Sequence, residues 1–510
     1  MSSLCHGLVG LGSASIVIDI ECHLSNNLPI IVIVGSASRA VNESKDRLRG
    51  AYASAQLPMP RKRVTINLAP ADVPKTDSGL DLAIALSLLI ADKQVPPQSK
   101  QHAAIGELGL DGSIRPVRGI IGKLIAGREH GLDTFYVPQA NIDQAKLVPG
   151  VQVYPVAHLR QLYEHLVGAQ ALAPVVPTLA ELPPTTNGGA LQLTDVAGQA
   201  MAKRALVIAA AGGHNLLLSG PPGTGKTMLA QTLPSLLPPL SHEEMLEVTH
   251  LHSLANNDYE RLQVARPFRN PHHSTSHTAM IGGGSGLQPG EISLSHRGVL
   301  CLDEFPEFSR QTLEALRQPL EERVIRVSRA KASSAFPADI ILVATANPCP
   351  CGFYGAVGRD CICLPAQRQR YQSKLSGPIM DRIDLCCDVY QVDHEQLLQP
   401  SVGGDASNLA VQVAIEQARS AQQQRYGSPT LLNGNVSNAL LRQHARLSPR
   451  ATSVLQTAAS RLGLSARGYI RVVKVARTIA DLQNSSTIEA GHMREAIAYR
   501  PRTATASALV

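Results

Sequence analysis

The chain has no tryptophan and only 3% aromatic residues, which excludes stacking of bases on aromatic platforms as its main way of holding a nucleic acid strand. Phosphate electrostatics would have to dominate, and a net charge of +7 over 510 residues permits that without requiring it. Long apolar runs are also missing. The longest near the N-terminus, Ile30 to Val34, is far short of the roughly 20 residues that a membrane helix needs. Met1 to Gly12 has no basic stretch leading into an apolar one, so no secretory leader is expected. Nine cysteines are few for this length, and four fall between Cys349 and Cys363, unlike the spread of a secreted disulfide framework. A cytoplasmic protein with no membrane partner is expected.

What is present describes an ordinary folded chain, with 44% hydrophobic and 17% charged residues. At about 100 to 200 residues per domain, the length implies two to four domains. From Ile16 to Pro149 short β-rich runs alternate with helical ones: Leu28 to Val34 and Val64 to Leu68 read as strands, Asp81 to Ala91 and Gly122 to His130 as helices. An α/β domain over residues 1–170 follows. Pro174 to Gly189 is rich in Pro, Thr and Gly and marks a linker over 171–190. A nucleotide-binding α/β domain is expected over 191–400, with strands at Asn215 to Ser219, Gly298 to Leu302 and Ile340 to Ala344. Ser401 to Ser407 reads as loop. Beyond it, residues 408–500 are almost wholly helical in period, the pattern of a helical lid.

Gly220-Pro221-Pro222-Gly223-Thr224-Gly225-Lys226-Thr227 fits the phosphate-binding loop, after a strand and before a helix. Its glycines let backbone N–H groups turn onto phosphates, Lys226 reaches the β- and γ-phosphates of ATP, and the Thr227 hydroxyl binds Mg²⁺. A second strand ends in Asp303 and Glu304: the first carboxylate suits Mg²⁺ and the second suits polarising a water. A third runs into Thr345-Ala346-Asn347, where the Asn347 amide can hold that water. Cys349, Cys351, Cys361 and Cys363 form C-x-C-x₉-C-x-C with glycines between the pairs. Four thiolates gathered by such a loop suit a closed tetrahedral Zn²⁺ site, although the one-residue spacing is tighter than usual. Redox-active or free cysteines are the alternative. Arg266 to His277 carries three histidines in a Pro-containing loop, without the helical pairing of a metal site, so phosphate contact or loop structure is expected there.

Longer strings carry a family resemblance. AKRALVIAAAGGHNLLLSGPPGTGKTM from Ala202, RPFRNPHHS from Arg266, PGEISLSHRGVLCLDEFPEF from Pro289, ANPCPCG from Ala346, SGPIMDRIDL from Ser376 and SARGYIRVVKVARTIADL from Ser465 resemble the magnesium-chelatase-like branch of AAA+ ATPases, and within it the ComM/YifB family. The resemblance implies a homohexameric ring that binds ATP between subunits and drives branch migration of DNA intermediates during natural transformation. Arg382 would be the arginine finger given to a neighbour, and Arg467 the sensor arginine of the lid, with Arg471 and Arg477 competing for that role. Arg323, Arg326, Arg329 and Lys331 resemble a pore hairpin that tracks DNA phosphates; a merely solvated hairpin is the alternative.

Residues Ile16 to about Leu166 resemble the Lon-protease-like fold, of the ribosomal S5 domain 2-like type. The serine nucleophile of such a site aligns with Gly79 and its lysine with Ile121, while Ser78 and Lys123 lie close in register. The domain reads as protease-dead. Against the DNA motor stand a chelatase-like ATPase that remodels a protein partner, and an ATP-dependent protease that would use Ser78.

Overall fold

A computed structural model describes residues 3–75, 77–99, 101–176, 191–255, 259, 261–284, 287–329, 332–355, 359–374, 379–392 and 404–501. The protein is α/β with a helical C-terminal region. Its N-terminal part is built on a seven-stranded mixed sheet in the order Ile31–Val34, Arg63–Ala69, Ala14–Ser25, Ser3–Leu11, His102–Ala104, Thr134–Pro138, Gln152–Val156. The long hairpin Ser3–Leu11/Ala14–Ser25 lies at its centre. The helix Asp81–Ala91, apolar on almost every side, is buried against it.

The second sheet has five parallel strands in the order Phe268–Arg269, Val299–Leu302, Ile341–Ala346, Leu216–Ser219, Leu385–Asp388. The central strands are buried on both faces and read accordingly as unbroken apolar runs. One face packs on the alanine-rich helix Ala200–Gly212 and the lid helices. Small side chains let that helix approach closely, and Gly213, at φ +67°, ends it. In the lid, Ser437, Ser448 and Ser465 each accept the N–H three residues on, capping helices Asn438–His444, Pro449–Leu462 and Ala466–Leu482. Each cap contributes about 1 kcal/mol.

Three readings change. The strand expected over Leu28 to Val34 spans only Ile31–Val34, and Leu28 is 85% exposed, because the turn before it faces solvent. Ser401 to Ser407 is not all loop, since the first helix of the lid begins at Gly404, ahead of residue 408. The helix His242–Ala255 was not anticipated, yet Met245 and Val248 on it join Leu8 of the N-terminal sheet and Ile120 and Leu124 of the helix Ile120–Glu129 in one core. The two α/β units therefore share a buried interface. Most of the expected linker lies outside the described residues.

Candidate nucleotide site and its surroundings

Parallel register brings the polar groups to one sheet edge. Ser219 pairs with Ala346, and Leu302 with Ala344. The loop from Gly220, the carboxylates after Leu302 and Asn347 after Ala346 therefore emerge together. Gly223 and Gly225 sit at φ +77° and +82° with open space where a Cβ would be, so backbone conformation dictates glycine there. Gly220 answers to crowding instead: a Cβ would lie 2.1 Å from the Val389 carbonyl oxygen.

Lys226, 9% exposed, donates to the carbonyls of Gly220 and Pro221 at 2.8 Å each and to Asn347 Oδ1 at 3.2 Å. Burial lowers its pKa, and Asp303 and Glu304 work the other way. Thr227 donates to Asp303 Oδ2 at 3.0 Å, and Thr345 donates to the other Asp303 oxygen. A hydroxyl beside a carboxylate at the mouth of this loop is an oxygen set suited to Mg²⁺. Thr345 also accepts the N–H of Glu304 at 3.1 Å. Glu304 takes the left-handed conformation, φ +53°, which turns its half-exposed carboxylate away from the strand line.

Two further side chains stand beside these groups: His273, from the loop expected to serve phosphate contact or loop structure, and Tyr371, which the sequence left unassigned. His273 Nδ1 lies 3.8 Å from Glu304 Oε2, its ring edge against Phe308. Tyr371 is buried on the backbone N–H of Asn347, and burial followed by Glu307 pushes its hydroxyl up to about 12. Tyr371 belongs to no quoted motif, and only the folded chain brings His273 against Glu304.

The arginines gather elsewhere. Arg382 is 3% exposed, paired with Glu321, and its pKa is lowered by burial and then by Arg317, Arg467 and Arg471 nearby. Arg471 is tied to Asp384 and Arg477 to Asp481, whereas Arg467 is exposed in the first turn of its helix.

Sequence comparison supplies the family. The profile of magnesium chelatase subunit ChlI matches residues 192–397, its C-terminal profile residues 405–500, and the profile of subunit ChlI of Mg-chelatase residues 20–141. The chain is 42% identical to the YifB protein of Escherichia coli K12 over 502 residues, 98% of this chain and 97% of that one. It is 40% identical to competence protein ComM of Haemophilus influenzae over 501 residues, 98% and 97% of the two chains. The chain belongs to the ComM/YifB family of magnesium-chelatase-like AAA+ proteins. Lon protease of Rickettsia bellii is similar over a shorter stretch, 25% identical across 107 residues covering 20% of this chain and 14% of that one.

In this ComM/YifB protein the four cysteines do come together. All four sulfurs lie within 4.8 Å of one another, with Cys349 Sγ 3.3 Å from Cys351 Sγ, and 3.6 Å from Cys361 to each of these two. A tetrahedron with metal–sulfur bonds of about 2.3 Å has edges of about 3.8 Å, so the set fits Zn²⁺. The N–H groups of Cys351 and Tyr354 point at Cys363 and Cys349 sulfurs, both at 3.3 Å, donors that favour thiolates.

The hairpin Val324–Arg329/Ala332–Pro337 forms as one antiparallel pair. Arg326 is exposed on it, while Arg323 pairs with Asp339 and burial brings its pKa down to about 10. Lys331 and the Arg329 side chain lie outside the described residues. The N-terminal sheet reaches this hairpin: Ser13 donates to the Ala335 carbonyl at 2.7 Å, and its N–H to Ser334 Oγ at 3.0 Å.

The Lon-like cleft corrects the sequence register. Ile121 is fully buried in apolar core, and it is Lys123 whose Nζ would lie 3.2 Å from a Cβ at Gly79. Lys123 pairs with Asp77, and Ser78 donates to Glu107 rather than facing Lys123. No hydroxyl stands at position 79 for Lys123 to activate.

Proposed function

We propose that this protein is an ATP-hydrolysing DNA motor of the ComM type, working as a homohexameric ring that promotes branch migration of recombination intermediates during natural transformation. The enzymatic half rests on the convergence of Lys226, Asp303, Glu304 and Asn347 at one sheet edge. The DNA half rests on similarity along nearly the whole chain to competence protein ComM.

On this reading the loop N–H groups from Gly220 to Thr227 and the Lys226 ammonium hold the triphosphate. Thr227 and Asp303 hold Mg²⁺, which supplies charge neutralisation at the β- and γ-phosphates. Asn347 orients a water, and Glu304 accepts its proton as oxygen bonds to the γ-phosphorus and the bond to ADP breaks. Arg382 and Arg467 lie in one cationic cluster with Arg317; Arg382 serves a neighbouring subunit's γ-phosphate as the arginine finger, and Arg467 is the sensor arginine of the lid. Arg326, with Arg329 and Lys331, tracks DNA phosphates. The four cysteines hold a structural Zn²⁺.

Strand displacement on a synthetic four-way junction tests the proposal, with Lys226→Ala and Glu304→Gln beside the wild type. Both variants should lose junction movement, Lys226→Ala by weakened nucleotide binding and Glu304→Gln with binding intact. A wild type that hydrolyses ATP at a normal rate yet moves no junction would favour a chelatase-like ATPase acting on a protein partner.

A further inference from the structure

The cysteine knuckle leans on the phosphate loop. Gly352, between Cys351 and the rest of the knuckle, sits at φ +85° so close to Pro222 that a Cβ there would lie 2.6 Å from Pro222 Cδ and 3.0 Å from Cγ. Pro222 is the third residue of the loop that wraps the triphosphate. Lys226 ties that loop from within, through the Gly220 and Pro221 carbonyls, and Gly352 abuts it from outside.

The same knuckle reaches the opposite wall of the site. Cys349 follows Asn347 by two residues, and Cys363 leads directly into the helix Pro365–Lys374. That helix sets Tyr371 on the Asn347 N–H, reaches the Pro348 carbonyl through Gln372 at 3.5 Å, and donates from Lys374 to the Pro306 carbonyl at 3.0 Å, just past Glu304. One small unit thus touches phosphate loop, water-orienting amide and the segment after the catalytic carboxylate.

Apolar packing among its described residues contributes little to its shape. Ile362 is 86% exposed and Leu364 64%, so these apolar side chains build no core for the knuckle. Among the described residues it is held by the four-sulfur cluster, by N–H bonds from Cys351 and Tyr354 to sulfur and from Gly352 to the Cys349 carbonyl, and by two stacked pairs, Arg359 over Phe353 and Arg368 over Tyr354. A segment too small to bury apolar surface depends on a cross-link for its conformation.

We propose that metal in the four-cysteine site sets the position of Gly352 against Pro222, so that zinc occupancy controls nucleotide affinity. This rests on the zinc reading above and adds a consequence to it: without the metal the brace relaxes, and the loop loses its outer support. The zinc does no chemistry on ATP.

The test uses full-length protein. Zinc content is measured by mass spectrometry and affinity with a fluorescent ATP analogue in the presence of added Mg²⁺, before stripping with a thiol-compatible chelator, after it, and after Zn²⁺ is restored. A single zinc per chain is expected, and its removal should weaken the analogue about tenfold or more, equivalent to about 1.4 kcal/mol, reversibly. Gly352→Ala guards against simple unfolding, because it keeps all four thiols. It should retain zinc yet bind the analogue more weakly, since its methyl group displaces Pro222. If reduced protein neither carries nor takes up zinc, the metal reading falls and the coupling with it. If zinc binds and leaves with affinity unchanged, or Gly352→Ala binds both as the wild type does, the coupling alone is overturned.

Discussion

Glu321 holds the guanidinium of Arg382, a residue 3% exposed, across 61 positions of sequence. The pair lies in the cluster with Arg317, Arg467 and Arg471, and Lys226 has its own partners at the phosphate loop. For Arg382 to meet a neighbour's phosphate, the stronger anion must outcompete Glu321, and a triphosphate with more charge and more acceptor oxygens can do so.

Complementation tests this. Arg382→Ala should retain nucleotide at its own loop but lose hydrolysis by about 10³-fold or more, the scale of an arginine finger. Lys226→Ala should lose nucleotide binding and keep an intact Arg382. Mixed, the two inactive proteins should regain part of the wild-type rate, because an intact loop meets an intact arginine at some interfaces. Failure of every mixing ratio to recover activity, with assembly confirmed by light scattering, rules out a site shared between subunits.

The Lon-like cleft should be chemically silent. Ser78 gives its hydrogen bond to Glu107, and Lys123 is held by Asp77, whose burial opposes its charge but whose pKa Lys123 nevertheless lowers. Held by these separate partners, Ser78 and Lys123 do not make the hydroxyl-to-base hydrogen bond that an activated nucleophile needs. A fluorophosphonate probe should therefore leave the wild type unlabelled. Labelling at Ser78 would restore the protease reading.

What the sequence discloses here depends on how local each cause is. The phosphate loop is legible because its demands, positive φ at Gly223 and Gly225 and a helix starting at Lys226, are met by consecutive residues. The lysine of the Lon-like cleft is less so. Residues two apart on a helix point about 200° apart, so an alignment shifted by two puts Ile121 where only Lys123 can face Gly79. The strand Ser3–Leu11 is hidden for another reason: it is central and buried on both faces, so it lacks alternation, and Gly7 interrupts its apolar run where Leu80 packs within 2.7 Å of a Cβ position. Contacts such as His273 with Glu304 or Glu321 with Arg382 leave no trace in spacing at all.

Asp384 should tie the lid to the ATPase core. It is 3% exposed and receives Arg471 from the lid, with His214 at 3.3 Å and the Asn215 N–H at 3.1 Å. Burial opposes its charge, but Arg471, His214 and that N–H hold its carboxyl well below the usual range. A depressed folded pKa contributes stability above the unfolded value of about 3.9, lost as pH falls through the folded one. Asp384→Asn should cost about 3–5 kcal/mol at neutral pH, since it leaves a part-buried Arg471 without its anion. Thermal melts should show the gap between wild type and variant closing only in strong acid. A gap that is absent at pH 7 would show that the pair does not hold the lid.

Ser13 joins the N-terminal domain to the hairpin at Ser334 and Ala335, and what that contact transmits can be tested apart from hydrolysis. Gly12 beside it has φ +64° and no room: a Cβ would lie 2.2 Å from Ser334 Oγ. Gly12→Val should therefore push the turn off the hairpin while leaving the nucleotide site intact. If the hairpin carries DNA, this variant should keep DNA-independent ATP hydrolysis and lose its stimulation by DNA. Arg326→Glu should weaken DNA binding itself, lowering the slope of log affinity against log salt by about 0.9 on duplex for each lost phosphate contact, or about 0.7 on a single strand. The two variants separate holding DNA from transmitting its presence. Undiminished stimulation in Gly12→Val would mean that the N-terminal domain is a passenger on the hairpin, and an unchanged salt slope in Arg326→Glu would place the DNA path elsewhere on the protein.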